Sequence, residues 1–428
     1  MKLIDLMKPS PCVLRGSFLV TIILSLFIIA SVSEDTFGEE AETSETTPPP
    51  GAYTVLADDG RVEFPFDIYR GDIRFQCRVN GRPVYMLLDD GYLWDQLLFW
   101  GGLEVDSLGL VYDGEIELGG DSNTLVSKTA SGITVTFPGV ELTDQTAIVT
   151  PGTSSISSMW RGSVGQISAG LLKHFVVDID FDRMMITLTE PDKFTYEGKG
   201  MAVPWEPMGN GPRSIPATVL TADGRTVSLK LLMDLGYNDQ LQLVTGLEHN
   251  ITLPEKKLQA SLGLNILREE TRGYIGRLAR IDIGGFPLDD VVVSYVPEEN
   301  ADMAVSEAMI GLRLLSRFNL VFDFYGHRLY VEPNESFDKP FEYNMSGIEL
   351  GPLSENRRPI RWVHKDSPAE EAGLRAGDNI VEVNGKPVSD YDIFELFSLF
   401  KQEGATVDFL IERDDRQFKA SLTLRRII

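Results

Sequence analysis

Short stretches of alternating apolar and polar residues, separated by turn residues, dominate the chain from Val62 onward. Turn signals such as Asn80-Gly81 lie between neighbouring stretches, as they do in β-hairpins. The clearest predicted strands span residues 73–79, 84–88, 218–220, 227–233, 275–283 and 291–295. This pattern predicts a mainly β fold.

Two distant segments share one order of residues, which indicates an internal duplication. Residues 86–92 and 231–237 each contain three apolar residues, an aspartate, one variable residue and then Gly-Tyr. Aligning Phe175 with Phe318 also superposes an Asp-Phe pair five residues further on in each copy, without a gap. The period, near 145 residues, is too long for a solenoid repeat and fits two domain-sized lobes.

The composition changes after Pro340, where a compact α/β unit of about ninety residues is predicted. Residues 360–363 and 379–383 have the pattern of strands, and Asn384-Gly385 is a hairpin turn signal. Residues 391–402 repeat apolar positions at the spacing of an amphipathic helix. The chain is therefore predicted to contain two related β lobes and a third, smaller domain.

The first residues have the features of a secretory signal peptide. Basic residues precede an apolar run from Phe18 to Ala30, and Ser31-Val32-Ser33 provides a small-x-small cleavage pattern. The run is too short for an ordinary membrane span, and an uncleaved anchor is the alternative interpretation. Residues 34–50 are rich in Glu, Thr, Ser and Pro, which is the composition of a disordered linker.

Charge, cysteine and histidine content narrow the classes of function. A net charge of −25 argues against nucleic acid or an anionic membrane as a partner, because either requires a basic surface. Cys12 lies in the predicted signal peptide, so Cys77 is left without a disulfide partner and is predicted to be buried. The four histidines are scattered and no phosphate-binding loop occurs, so neither a metal nor another cofactor is predicted.

The repeated aspartates, Asp89 and Asp234, are candidates for a paired-carboxylate site. Each follows a predicted buried strand and precedes a glycine at a tight turn. Two carboxyl groups placed face to face share a proton, so one can take a proton from water while the other polarises a carbonyl. The alternative is that each aspartate only caps its own turn.

These motifs resemble those of retropepsin-like and pepsin-like aspartic proteases, over roughly residues 65 to 335. The resemblance rests on residues 87–91 and 232–236, with Val164-Gly165 and Met309-Ile310-Gly311 as their downstream partners. It implies two β-barrel lobes, endopeptidase activity on peptides or unfolded proteins, and hairpin flaps before Gly132 and near residues 273–276. The implied catalytic pair is Asp89 and Asp234, and the implied active-site loops contain Asp90, Gly91, Leu235 and Gly236.

Two departures from this family's motif bear on activity. The family has a Thr or Ser whose hydroxyl links the two active-site loops, whereas this chain has Asp90 and Leu235 at those positions. Tyr92 and Tyr237 also replace a small residue. The alternative function is therefore a catalytically inactive scaffold whose third domain binds partner C-terminal tails.

The third domain resembles a bacterial-type PDZ domain, on residues 366–378 and 380–385. Such a domain binds an extended chain end as an added strand. The resemblance implies a groove between residues 360–363 and the helix at 391–402, with a carboxylate-binding loop at residues 350–353. The implied peptide-binding residues are Leu350, Gly351, Pro352, Leu353, Ile360 and Trp362.

The expected protein is an exported, periplasmic or secreted aspartic endopeptidase with PDZ-mediated recognition of peptide ends. No membrane contact is expected beyond the alternative signal anchor. The expected segments are a signal peptide at 1–33, a disordered linker at 34–61, lobe 1 at 62–200, lobe 2 at 201–340 and a PDZ domain at 341–428.

Overall fold

The computed structural model describes residues 53–55, 57–91, 96–120, 123–151, 162–167, 174–207, 213–264, 270–304 and 306–428. The predicted signal peptide, the linker up to residue 52 and Tyr92 lie outside these residues. The chain forms two compact units, and the division between them falls at Glu342 and Tyr343. Among the described residues, no helix has the length and apolarity needed to span a bilayer.

Within the part of the chain that the structure describes, lobe 1 contains eleven strands and one short helix, and lobe 2 contains the same numbers. Those of lobe 1 are β1 Tyr53–Val55, β2 Arg61–Tyr69, β3 Asp72–Val79, β4 Arg82–Leu88, β5 Leu97–Trp100, α1 Leu103–Asp106, β6 Val111–Gly120, β7 Asn123–Phe137, β8 Val140–Thr150, β9 Gly165–Ile167, β10 Val176–Asp180 and β11 Met185–Thr189. Residues Pro191–Lys193 form a 3₁₀ turn. The Asn80-Gly81 hairpin is confirmed, with both residues at the positive φ that such a turn requires.

In lobe 2 the described elements are again eleven strands and one short helix. They are β12 Met201–Pro204, β13 Glu206–Pro207, β14 Arg213–Leu220, β15 Thr226–Asp234, β16 Leu241–Val244, β17 Lys257–Leu264, β18 Glu270–Ile283, β19 Phe286–Val296, β20 Ala308–Gly311, α2 Leu312–Leu315, β21 Phe318–Asp323 and β22 Arg328–Pro333. Residues Glu298–Met303 form a 3₁₀ segment.

Each lobe contains a closed barrel, and the two barrels have the same topology. In lobe 1 the strand order is β3-β4-β9-β5-β8-β7, and pairing of β7 with β3 closes the ring. In lobe 2 the order is β14-β15-β20-β16-β19-β18, closed by pairing of β18 with β14. Because the strands correspond one to one, the predicted mainly β fold with two duplicated barrel-like lobes is confirmed.

A continuous antiparallel sheet joins the two lobes, in the order β12-β22-β21-β10-β11-β2. At its centre β10 pairs with β21, and Asp178 lies opposite Val321. In the duplication, aligned on Phe175 and Phe318, these two residues are counterparts. A pseudo-twofold axis therefore passes between β10 and β21 and relates the two lobes.

The smaller unit is a compact α/β domain with one core. Its elements are β23 Ile348–Leu350, β24 Arg358–Val363, α3 Pro368–Glu371, β25 Asn379–Val383, β26 Lys386–Pro387, a 3₁₀ turn at Val388–Asp390, α4 Ile393–Leu399, β27 Thr406–Arg413 and β28 Arg416–Thr423. The sheet order is β23-β24-β25-β27-β28, with β26 paired to β25. Leu396 and Phe400 fix the C-terminal half of α4 against this core.

Candidate functional site

Strand β4 delivers Asp89 to the interior of lobe 1. Met86, Leu87 and Leu88 are buried in the barrel, and the strand runs parallel to β9. The backbone N–H of Asp89 donates to the carbonyl oxygen of Ile167 at 3.1 Å, which extends this pairing by one residue. The apolar triplet thus fixes the position of a carboxylate that is only 3% exposed.

Strand β15 holds Asp234 in the same way in lobe 2. Leu232 and Met233 are buried, and β15 runs parallel to β20 with Asp234 opposite Gly311. Asp234 has no exposed surface. The two aspartates therefore arrive at corresponding places in the two barrels.

The two aspartates meet at the contact between the lobes. One carboxylate oxygen from each of Asp89, Asp90 and Asp234 lies within 4.8 Å of the others. The carboxyl groups of Asp89 and Asp234 are therefore close neighbours, and Asp234 affects the protonation of Asp89. A Cβ atom on Gly91 would collide with the Asp234 carboxyl, and one on Gly236 would collide with that of Asp89. Glycine is needed at both positions because each lies against the aspartate of the opposite lobe.

Each aspartate also accepts a hydrogen bond from its own loop. The backbone N–H of Gly91 donates to Asp89 Oδ1 at 2.9 Å, and that of Gly236 donates to Asp234 Oδ1 at 2.8 Å. These two bonds obey the pseudo-twofold symmetry. They fix the orientation of both side chains.

Asp90 links the two loops. Its Oδ1 accepts a hydrogen bond from the backbone N–H of Leu235 at 2.6 Å, and Asp90 is buried. The sequence had suggested that the connection between the loops was lost with the hydroxyl residue. Instead, a carboxylate of lobe 1 holds the backbone of lobe 2, and the buried Leu235 side chain makes no polar contribution.

Tyr237 has a packing role beside this loop. Its ring is buried in a cluster with Leu232 and Met309. The carbonyl oxygen of Tyr237 accepts a hydrogen bond from the backbone N–H of Leu312 at 2.8 Å. The large Tyr237 side chain therefore fills the interior of lobe 2 and does not block the carboxyl pair.

Burial and mutual repulsion give the acids unusual proton affinities. The pKa of Asp89 is raised to about 7, first by burial and next by the negative charge of Asp90, with a further contribution from Asp72. The neighbouring carboxyl group of Asp234 acts in the opposite direction and lowers the pKa of Asp89. Burial also raises the pKa of Asp90 to about 6.

Arg213 places a positive charge near Asp90. Its positive charge lowers the pKa of Asp90, and the N–H of Leu235 acts in the same direction. The guanidinium lies over the rings of Trp205 and Phe324, at 5.2 and 4.3 Å from their centroids. Sequence reasoning missed Arg213 because only the folded chain brings it near Asp90.

The three carboxylates are also close enough to contact one cation. Each of them already accepts a hydrogen bond from a backbone N–H, that of Gly91, Leu235 or Gly236. The arrangement therefore fits a pair of acids that share a proton.

A long hairpin extends from each barrel. β6 pairs with β7 in lobe 1, and β17 pairs with β18 in lobe 2. The hairpin predicted before Gly132 is thus present, and residues 273–276 lie within β18. Because the two hairpins correspond in topology, both are candidates to cover a bound substrate.

In the smaller domain, the open edge of the sheet lies one strand away from the predicted groove. β24, which contains Ile360 and Trp362, pairs on both sides, with β23 and β25, so it has no open edge. Within the described residues, β23 pairs only with β24. The edge available for an added peptide strand is therefore that of β23.

The six residues predicted to bind peptide have different environments. The side chains of Leu350 and Ile360 are part of the domain core. Gly351 follows β23, and its backbone N–H donates to the carbonyl of Pro359 at 2.7 Å. Pro352 is half-buried, and Leu353 and Trp362 are large exposed apolar side chains. The predicted carboxylate-binding segment, residues 350–353, therefore lies at the C-terminal end of β23.

Comparisons with known proteins identify the smaller domain. A family model described as a PDZ domain matches residues 360–413. Serine protease HTRA1 of Xenopus tropicalis is 37% identical over 62 residues, which is 14% of this chain; the chain covers 13% of that protein's length. Basic 7S globulin from soybean matches with a TM-score of 0.41 and 10% identity, over 66% of this chain and 97% of that structure. The chain therefore has a C-terminal PDZ domain.

Proposed function

We propose that this protein is an aspartic-type endopeptidase that acts on peptides or unfolded proteins. The observation that carries the proposal is the close approach of two buried carboxyl groups, Asp89 and Asp234, contributed by corresponding strands of the two barrels. A buried acid pair of this kind is costly for stability, and such costs are typical of sites selected for chemistry.

The proposed reaction uses one ionised and one protonated aspartate. Asp89 takes a proton from water as the water oxygen attacks the peptide carbonyl carbon, and Asp234 gives its proton to the carbonyl oxygen. This yields a gem-diol. Asp89 then returns its proton to the leaving nitrogen as the C–N bond breaks, while Asp234 regains a proton from one hydroxyl group. Both acids end in their starting state.

The proposed role of the PDZ domain is to recognise peptides by strand addition to the edge of β23. This role fits both an enzyme that recruits its substrates and the second candidate function, a scaffold without catalysis. The replacement of a hydroxyl residue by Leu235 favours that second candidate.

Cleavage of an unfolded protein distinguishes the two functions. Fluorescein-labelled casein would be incubated with the wild type, Asp89→Asn and Asp234→Asn, from about pH 4 to about pH 8. We expect cleavage by the wild type and a loss of about 1,000-fold or more in both variants. The control is Asp144→Asn, an exposed aspartate at positive φ, where asparagine is tolerated. Equal cleavage by all four proteins would refute the assignment.

We further propose that the protein is exported to the periplasm or the extracellular space. The support is the apolar run at 18–30 with basic residues before it and Ser31-Val32-Ser33 after it. N-terminal sequencing of the protein from its native host should give a first residue close to 34. An intact N-terminus in a cytosolic fraction would contradict this proposal.

A further inference from the structure

Gln166 breaks the symmetry of the carboxyl pair. It lies in β9 between β4 and β5, opposite Leu87 and Leu98. Its side-chain Nε2 donates a hydrogen bond to Asp89 Oδ2 at 2.8 Å, and the residue is only 3% exposed. Asp89 therefore receives a donor from lobe 1 in addition to the backbone N–H of Gly91.

The register of the strands gives the counterpart of Gln166 in lobe 2. Leu87 and Leu232 each lie two residues before their aspartate, and they pair with Gln166 and Met309 respectively. Met309 is buried with Leu232 and Tyr237, and its thioether has no hydrogen to donate. At the same position the two lobes thus have a donor and a non-donor.

We propose that Gln166 is a positioning residue that makes Asp89 the ionised, water-activating member of the pair and leaves the shared proton on Asp234. This inference rests on the proposed function. A neutral amide donor favours a carboxylate over a carboxylic acid, because the acid gives up part of its capacity to accept hydrogen bonds. The other charged groups near Asp89 are Asp90, Asp72 and Asp234, and Arg213 acts on Asp90. Asp89 accepts a hydrogen bond from the Gln166 amide, whereas the corresponding position in lobe 2 is Met309. This difference between the lobes favours the ionised form of Asp89.

The test exchanges the residue of one lobe for that of the other. Gln166→Met removes the donor with little change in volume, and Met309→Leu is the matched control in lobe 2. The dependence of kcat/KM on pH would be measured with labelled casein. We expect the acidic limb of Gln166→Met to move up by about one to two pH units, with recovery at higher pH. Met309→Leu should keep the wild-type limb. A loss that is equal at every pH would mean a merely structural role and would overturn the inference.

A second readout does not depend on activity. The side-chain carboxyl carbons of ¹³C-labelled aspartate would be titrated by NMR, with the Asp89 and Asp234 signals assigned from their Asn variants. In the wild type, Asp89 should ionise at the lower pH of the two, and Gln166→Met should shift it upward. If Asp234 ionises first, or if Asp89 does not shift, the inference fails even when casein is cleaved. If both results hold but no cleavage occurs, the proposed function fails and the role of Gln166 in charge placement stands. If Gln166→Met does not fold, the order of ionisation in the wild type decides.

Discussion

The carboxylate of Asp90 holds the backbone N–H of Leu235 at 2.6 Å, across the contact between the two lobes. The bond spans 145 positions of sequence and joins the residues that immediately follow the two central aspartates. One charged acceptor thus makes the connection between the two loops. It also places a third acid beside the pair, so it affects both the connection between the lobes and the protonation of the site.

Two substitutions of Asp90 should separate these effects. Asp90→Asn keeps an oxygen that can accept from Leu235 but removes the charge, so the pKa of Asp89 should fall and the acidic limb of activity should move to lower pH. Asp90→Ala also leaves the Leu235 N–H buried without its acceptor, which should cost about 1–3 kcal/mol of stability. Thermal unfolding and pH–activity profiles of both variants would check this. Identical unfolding midpoints for the two would contradict a linking role for Asp90.

Asp89 and Asp90 should make the unit that contains the two lobes less stable as the pH rises. The pKa of Asp89 is about 7 in the folded protein, well above its unfolded value near 4, so the folded state binds more protons between these limits. The stabilisation is complete below about pH 4 and is lost as the pH rises through about 7. Asp90, at about 6, acts in the same direction.

Measurement of the unfolding midpoint from about pH 4 to about pH 7 would test this. Burial and the charge of Asp180 also raise the pKa of Asp178, so the wild type alone cannot assign the slope. Asp89→Asn should reduce the decline by a few kcal/mol, and Asp144→Asn should reproduce the wild-type slope. A decline that Asp89→Asn leaves unchanged would exclude Asp89 as its source.

The glycines of the two loops should not tolerate even a methyl group. In Gly91→Ala and Gly236→Ala the new Cβ meets the carboxyl of the opposite lobe's aspartate, which must move to accommodate it. We expect each variant to lose about 100-fold or more in kcat/KM, because small displacements of catalytic groups are costly. Unfolding midpoints would show whether the protein remains folded. Near-normal activity in either variant would contradict the close contact between each glycine and the opposite aspartate.

The PDZ domain should depend strongly on one ion pair. Asp378 is 2% exposed, accepts from Arg413 Nη2 at 2.7 Å and also accepts from the backbone N–H of Arg375. Arg413→Ala leaves this buried carboxylate without its cation and should destabilise the domain by about 3–5 kcal/mol. The pair of Arg425 with Glu371 is exposed, so Arg425→Ala should cost less than about 1 kcal/mol.

Denaturant unfolding followed by Trp362, which lies on β24 in the PDZ domain, would compare these two arginine variants. The expected order is a large shift of the midpoint for Arg413→Ala and a small one for Arg425→Ala. Equal shifts would show that burial of Asp378 does not determine the contribution of its ion pair.

The sequence was sufficient for features that repeat or that depend on local pattern. Alternating apolar residues predicted the strands, and the repeated aspartate motif predicted two related lobes. The features it missed depend on residues that are far apart along the chain, such as Gln166, which is 77 positions from Asp89. The motif comparison placed Val164-Gly165 opposite Met309-Ile310-Gly311, whereas the strand register aligns Gln166 with Met309. This difference in alignment cannot be detected from short apolar segments alone, because one apolar residue can replace another at the same position.

The pairing of β10 with β21 has a consequence for how this site could arise. Asp178 lies opposite its own counterpart, Val321, so the joining sheet has the geometry of an isologous contact between two identical halves. Two separate copies of one half could form the same sheet, but they would carry the same residue at every equivalent position. A single duplicated gene removes that constraint. It allows Asp90 to differ from Leu235 and Gln166 to differ from Met309, so one chain can give its two acids different tasks.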